Sequence, residues 1–306
     1  MKVTPYGVRG SLAAPGPTTA RYGGNTSCVR VTGRDGTVLV LDAGTGIRSL
    51  ALELPTRLSR VDVLLTHLHM DHIIGLGFFG PLYNSAMEVH IWGPASATLS
   101  LEARLRRYLA PPLFPVLLRD LPCRLELHHT SHSRFLIGPF RIRAARICHP
   151  GPTVGYRIET ETSSLAYLPD HEPALGARRF PLDPEWTSGF ELAHDVDLLL
   201  HDAQYTREEY PSHAGWGHST MHDALAFGRL ANVRHLAPFH HDPGRDDTGL
   251  EKALDVAMAE IKPDFHVTPA ADSRLACLLR AALAAVEAPR YRSCAPQPPA
   301  SRESLA

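Results

Sequence analysis

Residues Val61-Asp62-Val63-Leu64-Leu65 form a short, branched, apolar run that leads directly into Thr66-His67-Leu68-His69-Met70-Asp71-His72. The run reads as a buried strand. The apolar segment after it, Ile73-Ile74-Gly75-Leu76-Gly77-Phe78-Phe79, reads as the start of a helix. Three imidazoles and a carboxylate therefore stand where a core strand ends. His67 and His69 are two apart, so in extended chain they point to the same side. Asp71 and His72 follow the turn and approach from another direction. Polar groups crowded at a buried strand end are costly unless something satisfies them. One or two transition-metal ions would do so, because imidazole and carboxylate suit zinc, manganese or iron. A lone histidine here would read as ordinary loop polarity, but this density of donors does not.

The same placement recurs down the chain. Val38–Leu41 ends in Asp42, Phe140–Ile147 runs into His149, and Ser164–Leu168 leads to Asp170. Asp195–Leu200 delivers His201 and Asp202, and His235–Phe239 delivers His240 and His241. Open α/β folds collect ligands at the carboxyl ends of their strands. Asp42 reads equally well as a helix cap or as a carboxylate that orients a metal-bound imidazole. His218 precedes the helix Met221–Leu230, where Thr220 and Asp223 have capping-box spacing. Helix N-termini attract anions such as phosphate. A charged imidazole there needs a carboxylate beside it, and Asp202 is the candidate. The pair would then be an acid for a leaving alkoxide. From the residues alone, a structural role for His218 is the stronger reading.

The chain has 306 residues and a formal net charge of −1, from 31 basic and 32 acidic residues. With no global basic excess, nucleic-acid binding through bulk charge is not indicated. Cys28, Cys123, Cys148, Cys277 and Cys294 are few and unpatterned, and read as reduced thiols of a cytoplasmic protein. The first residues lack the apolar core of a signal peptide. No apolar run is long enough to span a membrane. Strands fall into two groups interleaved with helices, which suggests two β-sheets face to face with helices outside. After the histidine motif we expect a helix-rich insert, with an amphipathic helix from Ala95 to about Leu109 and the Pro-rich Ala110–Pro115 as scaffold or pocket wall. Residues 1–288 read as one domain that closes with a helix over Ser273–Val286. Residues 289–306, rich in Pro, Ala and Ser, read as a disordered tail.

The pattern H-x-H-x-D-H, together with Gly7–Ser11 and the segment Arg21–Cys28, resembles the metallo-β-lactamase-fold hydrolases. His201-Asp202-Ala203 and Gly217-His218-Ser219-Thr220 look like the paired motifs of its phosphodiesterase branch, that of tRNase Z and PhnP-like enzymes, with Asp202 replacing the usual Glu. The resemblance implies a four-layer αββα sandwich of two mixed β-sheets with outer helices. It implies two divalent metal ions, zinc above manganese or iron. His67, His69 and His149 would bind one ion. Asp71, His72 and His240 would bind the other, and Asp170 would bridge both. His240 is preferred to His241 because the first histidine after the strand aligns with the family ligand. The implied activity is hydrolysis of a small or cyclic phosphodiester by a metal-bridging hydroxide. Asp71 would orient the hydroxide, and His218 with Asp202 would act on the leaving group. Relatives often form homodimers. Residues 171–200 are too short and mixed to be the tRNA-gripping arm of tRNase Z, so a small-molecule substrate is favoured over nucleic acid. The main alternative is an ester, lactone or thioester opened by the same centre, with an iron-dependent oxidoreductase of this fold ranked lower.

Overall fold

The computed structural model describes residues 1–177 and 180–272. The expected closing helix over Ser273–Val286 and the tail from residue 289 lie outside the described residues. Six strands make the first sheet: β1 (Lys2–Gly7), β2 (Cys28–Thr32), β3 (Val38–Leu41), β4 (Arg60–Leu64), β5 (Glu88–Pro94) and β6 (Arg124–Thr130). Seven make the second: β7 (Ser133–Ile137), β8 (Phe140–Arg146), β9 (Val154–Glu159), β10 (Ser164–Leu168), β11 (Leu198–Asp202), β12 (His235–Phe239) and β13 (His266–Val267). In each sheet the early strands pair antiparallel and the later ones parallel. Parallel neighbours need crossover connections, and the helices lie on those crossovers. They are α1 (Ile47–Leu52), α2 (Met70–Ile73), α3 (Leu101–Tyr108), α4 (Phe190–Ala193), α5 (Met221–Leu230) and α6 (Asp247–Ile261).

Strand periodicity divides the core into three layers. In β3, Leu39 and Leu41 face the second sheet and meet Tyr156, Tyr167, Leu200 and Phe239. Val38 and Val40 face outward and join a cluster with Ile47 and Leu50 of α1 and Leu101 and Leu105 of α3. On the far side, Ala166, Leu168, Leu199 and Leu236 pack against Leu225 and Phe227 of α5 and Leu254 of α6. Strands covered on both faces read as continuous apolar runs rather than alternating ones, which is why β3 is Val-Leu-Val-Leu. The architecture is the expected four-layer sandwich of two mixed sheets between helices.

The segment after the histidine motif departs from expectation. It holds one α-helix of two turns, α3, with three single-turn 3-10 helices and the strands β5, β6 and β7, so it is not rich in α-helix. Ser100 caps α3 by accepting the Ala103 N–H at 3.1 Å, so the preceding Ala95–Leu99 is not helical. The capping-box spacing at α5 is realised: Thr220 Oγ1 accepts the Asp223 N–H and donates to its carboxylate, both at 2.9 Å.

Candidate metal centre

The carboxyl ends of β3, β4, β8, β10, β11 and β12 open along one edge of the sandwich, and the loops after them carry the polar residues singled out above. His67 and His69 follow β4 with their rings 4.4 Å apart. His149 comes in from the second sheet, its Nε2 3.1 Å from His69 Nδ1. Asp71 and His72 sit on the first turn of α2, beyond the bend. His240 follows β12 with φ 58°, a backbone position that non-glycine residues adopt rarely. Asp170, 1 % exposed, lies between the two groups. One donor atom each from His67, His69 and His149 lie within 4.8 Å of one another, and so do those of Asp71, His72, Asp170 and His240. All are buried except His69, which stands at the mouth.

The imidazoles are held from behind. His72 Nδ1 donates to Asp42 Oδ2 at 2.8 Å, His240 Nδ1 to Gln204 Oε1 at 2.9 Å, and His149 Nδ1 to the Gly217 carbonyl at 2.9 Å. Each ring thus spends Nδ1 on the protein, and its Nε2 is the atom that meets its neighbours in the cluster. His72 Nε2 and His240 Nε2 come within 3.4 Å of each other, and Asp170 Oδ1 is 2.9 Å from His72 Nε2. His67 Nε2 finds no hydrogen-bond partner among the described residues. Bare nitrogens and carboxylate oxygens converging out of water are what a cation satisfies, so this donor set fits divalent ions. The electrostatics agree. Burial drives the His67 pKa well below the ordinary value, and lowers those of His69 and His149. Burial opposes charge on His72 as well, but Asp170, Asp71 and Asp42 outweigh it and push that pKa up. Burial would likewise raise Asp71 and Asp170; the surrounding imidazoles hold both far below the usual carboxylate range.

Of the two readings of Asp42, the cap is excluded: the N-cap of α1 is Gly46, and no side chain caps the helix. Besides His72, Asp42 accepts the Thr66 N–H at 2.7 Å, the Thr66 hydroxyl and the Tyr167 hydroxyl, which is 3.0 Å away. His241 turns away from the cluster, with Nε2 2.9 Å from the Ala270 carbonyl and a pKa that burial pushes down to about 3.

His218 stands against this group, its ring stacked on that of His240 at 4.9 Å. Its Nδ1 is 2.7 Å from Asp202 Oδ2, and the Ser219 and Gln204 N–H groups hold Asp202 Oδ1 at 3.0 and 3.1 Å. Burial works against charge on His218, but Asp202 prevails and the pKa rises to about 9. His218 also lies near His149, Asp170 and His240, within reach of a shared cation. However, its Nδ1 is committed to Asp202, and Nε2 makes no hydrogen bond among the described residues.

Several residues of the site escape sequence reading. Glu172, 2 % exposed, accepts the Gly215 N–H and the Gly217 N–H, both at 2.9 Å, and the Tyr210 hydroxyl at 2.5 Å. The Ser11 N–H donates to Asp71 Oδ2 at 2.8 Å. Gly10 and Gly217 lie directly against the rings of His240 and His149, so that a Cβ on either would come to 2.3 Å from the ring Nδ1. The one signal for Glu172 is its place two residues after Asp170.

Residues 37–241 match the model of the beta-lactamase superfamily domain. A ribonuclease Z of Brevibacillus brevis is 24% identical over 270 residues, covering 76% of this chain and 84% of that protein. The structure of the metallo-β-lactamase fold protein YhfI from Bacillus subtilis superposes with a TM-score of 0.63 at 18% identity, covering 89% of this chain and 96% of that one. The short form of human tRNase Z superposes with a TM-score of 0.61 at 19% identity, covering 89% and 97%. No helix among the described residues is long and apolar enough to cross a membrane. With its histidine- and aspartate-bearing strand ends, its two mixed sheets and this match over most of its length, the chain belongs to the β-lactamase superfamily, in the metallo-β-lactamase fold, and is a metal-dependent hydrolase.

Proposed function

We propose that the enzyme hydrolyses a small or cyclic phosphodiester, and that the observation carrying this is the 2.7 Å pair of His218 and Asp202 set against the ligand cluster. His67, His69 and His149 would hold one divalent ion and Asp71, His72 and His240 the other, with Asp170 between them. Zinc suits these nitrogen and oxygen donors. When bound, such ions activate water near neutral pH and offset negative charge on phosphoryl oxygens. Asp71 accepts the Ser11 N–H, so its carboxylate stays fixed to orient the attacking water and accept its proton. His218 stands on the other side. Asp202 anchors Nδ1 and leaves Nε2 to give a proton to the departing alkoxide. A thioester expels a thiolate and needs no acid poised in this way, which ranks that substrate lower. The similarity to ribonuclease Z supports a second reading, in which the diester lies within an RNA.

The test is His218→Ala with metal content measured alongside activity. Both ions should remain, while cleavage of an alkyl phosphodiester should fall by roughly 10²–10⁴-fold, the usual contribution of a general acid. Cleavage of a nitrophenyl diester should fall less, because nitrophenolate leaves without a proton. A panel of aryl and cyclic diesters, an RNA oligonucleotide, a β-lactam and a thioester separates the substrate classes. Efficient lactam opening with no diester cleaved would overturn the proposal.

A further inference from the structure

Beside His67 and His69 lies a cavity of about 340 Å³, walled by Leu68, Met70, Tyr108, Leu113 and the loop Pro150–Pro152, with half-buried Arg104 and exposed Arg107 along its rim on α3. It falls within the size range of small-ligand sites, and the Pro-rich crossing after α3 does form part of its wall. Helix α3 explains the placement. Leu101, Leu105 and Tyr108 face the core, and the Tyr108 hydroxyl donates to the Ile74 carbonyl at 2.5 Å, tying α3 to the segment after α2. Glu102 and Arg106 pair on the exposed side. Arg104 and Arg107, three apart, share the remaining face.

The two arginines differ in what they can do. Arg104 is already spent: its guanidinium donates to the Pro94 and Ser100 carbonyls. Arg107 makes no hydrogen bond or ion pair among the described residues, and no acidic residue lines the cavity. Arg146 adds to the positive charge, since its proximity and burial together lower the Arg104 pKa. Arg107, with no protein partner among the described residues at the edge of an apolar cavity that opens onto the candidate metal ligands, is free to take an oxyanion, and guanidinium groups match two phosphate oxygens in a bidentate way.

We infer that this cavity is a substrate subsite and that Arg107 reads a second phosphate, carried on one arm of a nucleotide-sized phosphodiester whose scissile phosphate lies at His67 and His69. The inference rests on the phosphodiesterase reading and narrows it. The apolar walls take the body between the two anions. The volume limits that body to about the size of one nucleoside, which disfavours a long RNA.

The experiment is calorimetric titration of the zinc-loaded protein with 5′-AMP and with adenosine 3′,5′-bisphosphate, each able to place one phosphate at the metals. A charged hydrogen bond to the second phosphate should make the bisphosphate about tenfold tighter. Arg107→Gln should abolish that difference, and Glu102→Gln, on the opposite side of α3, should keep it. Equal binding of both probes by the unaltered protein, or an undiminished difference in Arg107→Gln, overturns the subsite. A twelve-nucleotide RNA that binds more tightly than the bisphosphate overturns the limit to one nucleoside. If Arg107 discriminates the probes but no diester is cleaved, the subsite stands and the phosphodiesterase reading fails.

Discussion

The carbonyl of Gly217 accepts the His149 Nδ1 hydrogen at 2.9 Å, so the residue just before His218 also fixes the ring of a candidate metal ligand. Glu172 holds this loop from beneath through the N–H groups of Gly215 and Gly217. One buried carboxylate therefore sets the position of a ligand and of the proposed acid together. Glu172→Ala should weaken metal binding and activity by about 10–100-fold, as loss of groups supporting metal ligands does. Metal stoichiometry at limiting zinc, read beside kcat, checks it; a variant unchanged in both would leave Glu172 a purely structural role.

Asp42 supports the other half of the centre. It receives hydrogen bonds from His72, Thr66 and Tyr167. Asp42→Ala takes the acceptor from four donor groups, since Thr66 gives both its N–H and its hydroxyl, and each buried donor left unpaired costs about 1–3 kcal/mol. The variant should melt well below the parent as well as bind metal weakly. Tyr167→Phe removes only one of these bonds and should leave metal content intact.

Asp170 lies within 4 Å of donor nitrogens on His67, His72, His149 and His240. Asp170→Ala should reduce occupancy at both positions, measured by atomic absorption after dialysis against limiting zinc. Two ions retained per chain would remove Asp170 from the bridging place.

Gly10 touches the ring of His240 so closely that a methyl group would overlap Nδ1. Gly10→Ala should displace that ring and lower occupancy of the ion proposed for Asp71, His72 and His240, leaving the one proposed for His67, His69 and His149. Cobalt substitution with visible spectra would distinguish the two positions.

His235 begins β12 opposite His266 of β13, and burial, with His266 second, lowers its pKa to about 4. In the unfolded chain the ordinary value of about 6.5 returns. Below that pH the unfolded state binds the extra proton, so His235 subtracts stability progressively as pH falls from about 6.5 towards 4, by up to roughly 3 kcal/mol. Urea midpoints at pH 7 and pH 5 should differ less in His235→Gln than in the parent. Equal pH dependence would show that other groups set the slope.

The sequence displays the metal motif because its donors are contiguous and sit on a strand whose apolar character is unmistakable. His149, Asp170 and His240 are legible by the same rule, each following a strand. The choice between His240 and His241 rests on resemblance; in the structure the His240 ring lies beside His72 and Asp71, and the His241 ring lies against the Ala270 carbonyl. The supports were hidden for a different reason. Ser11 and Gly217 act through backbone groups, which any residue possesses, and Glu172 and Gln204 act across contacts of 36 to 45 positions. Strand β6 is hard to read because half-buried Leu125 and Leu127 flank an equally half-buried Glu126 before two histidines at the sheet edge. That pattern carries little contrast between faces. Glu88, His90 and His128 pair with one another there instead.

The candidate ligand cluster draws His67, His69, Asp71 and His72 from the segment after β4 of one sheet and His149, Asp170 and His240 from loops of the other. Bound ions would therefore rivet the two halves of the sandwich at their shared edge. Any metal that binds the folded chain alone adds to folding free energy in proportion to the logarithm of its free concentration. Zinc supply would then govern how long the molecule survives as well as how fast it turns over. A chelator should lower the melting temperature and expose the edge loops to protease before the helices outside loosen.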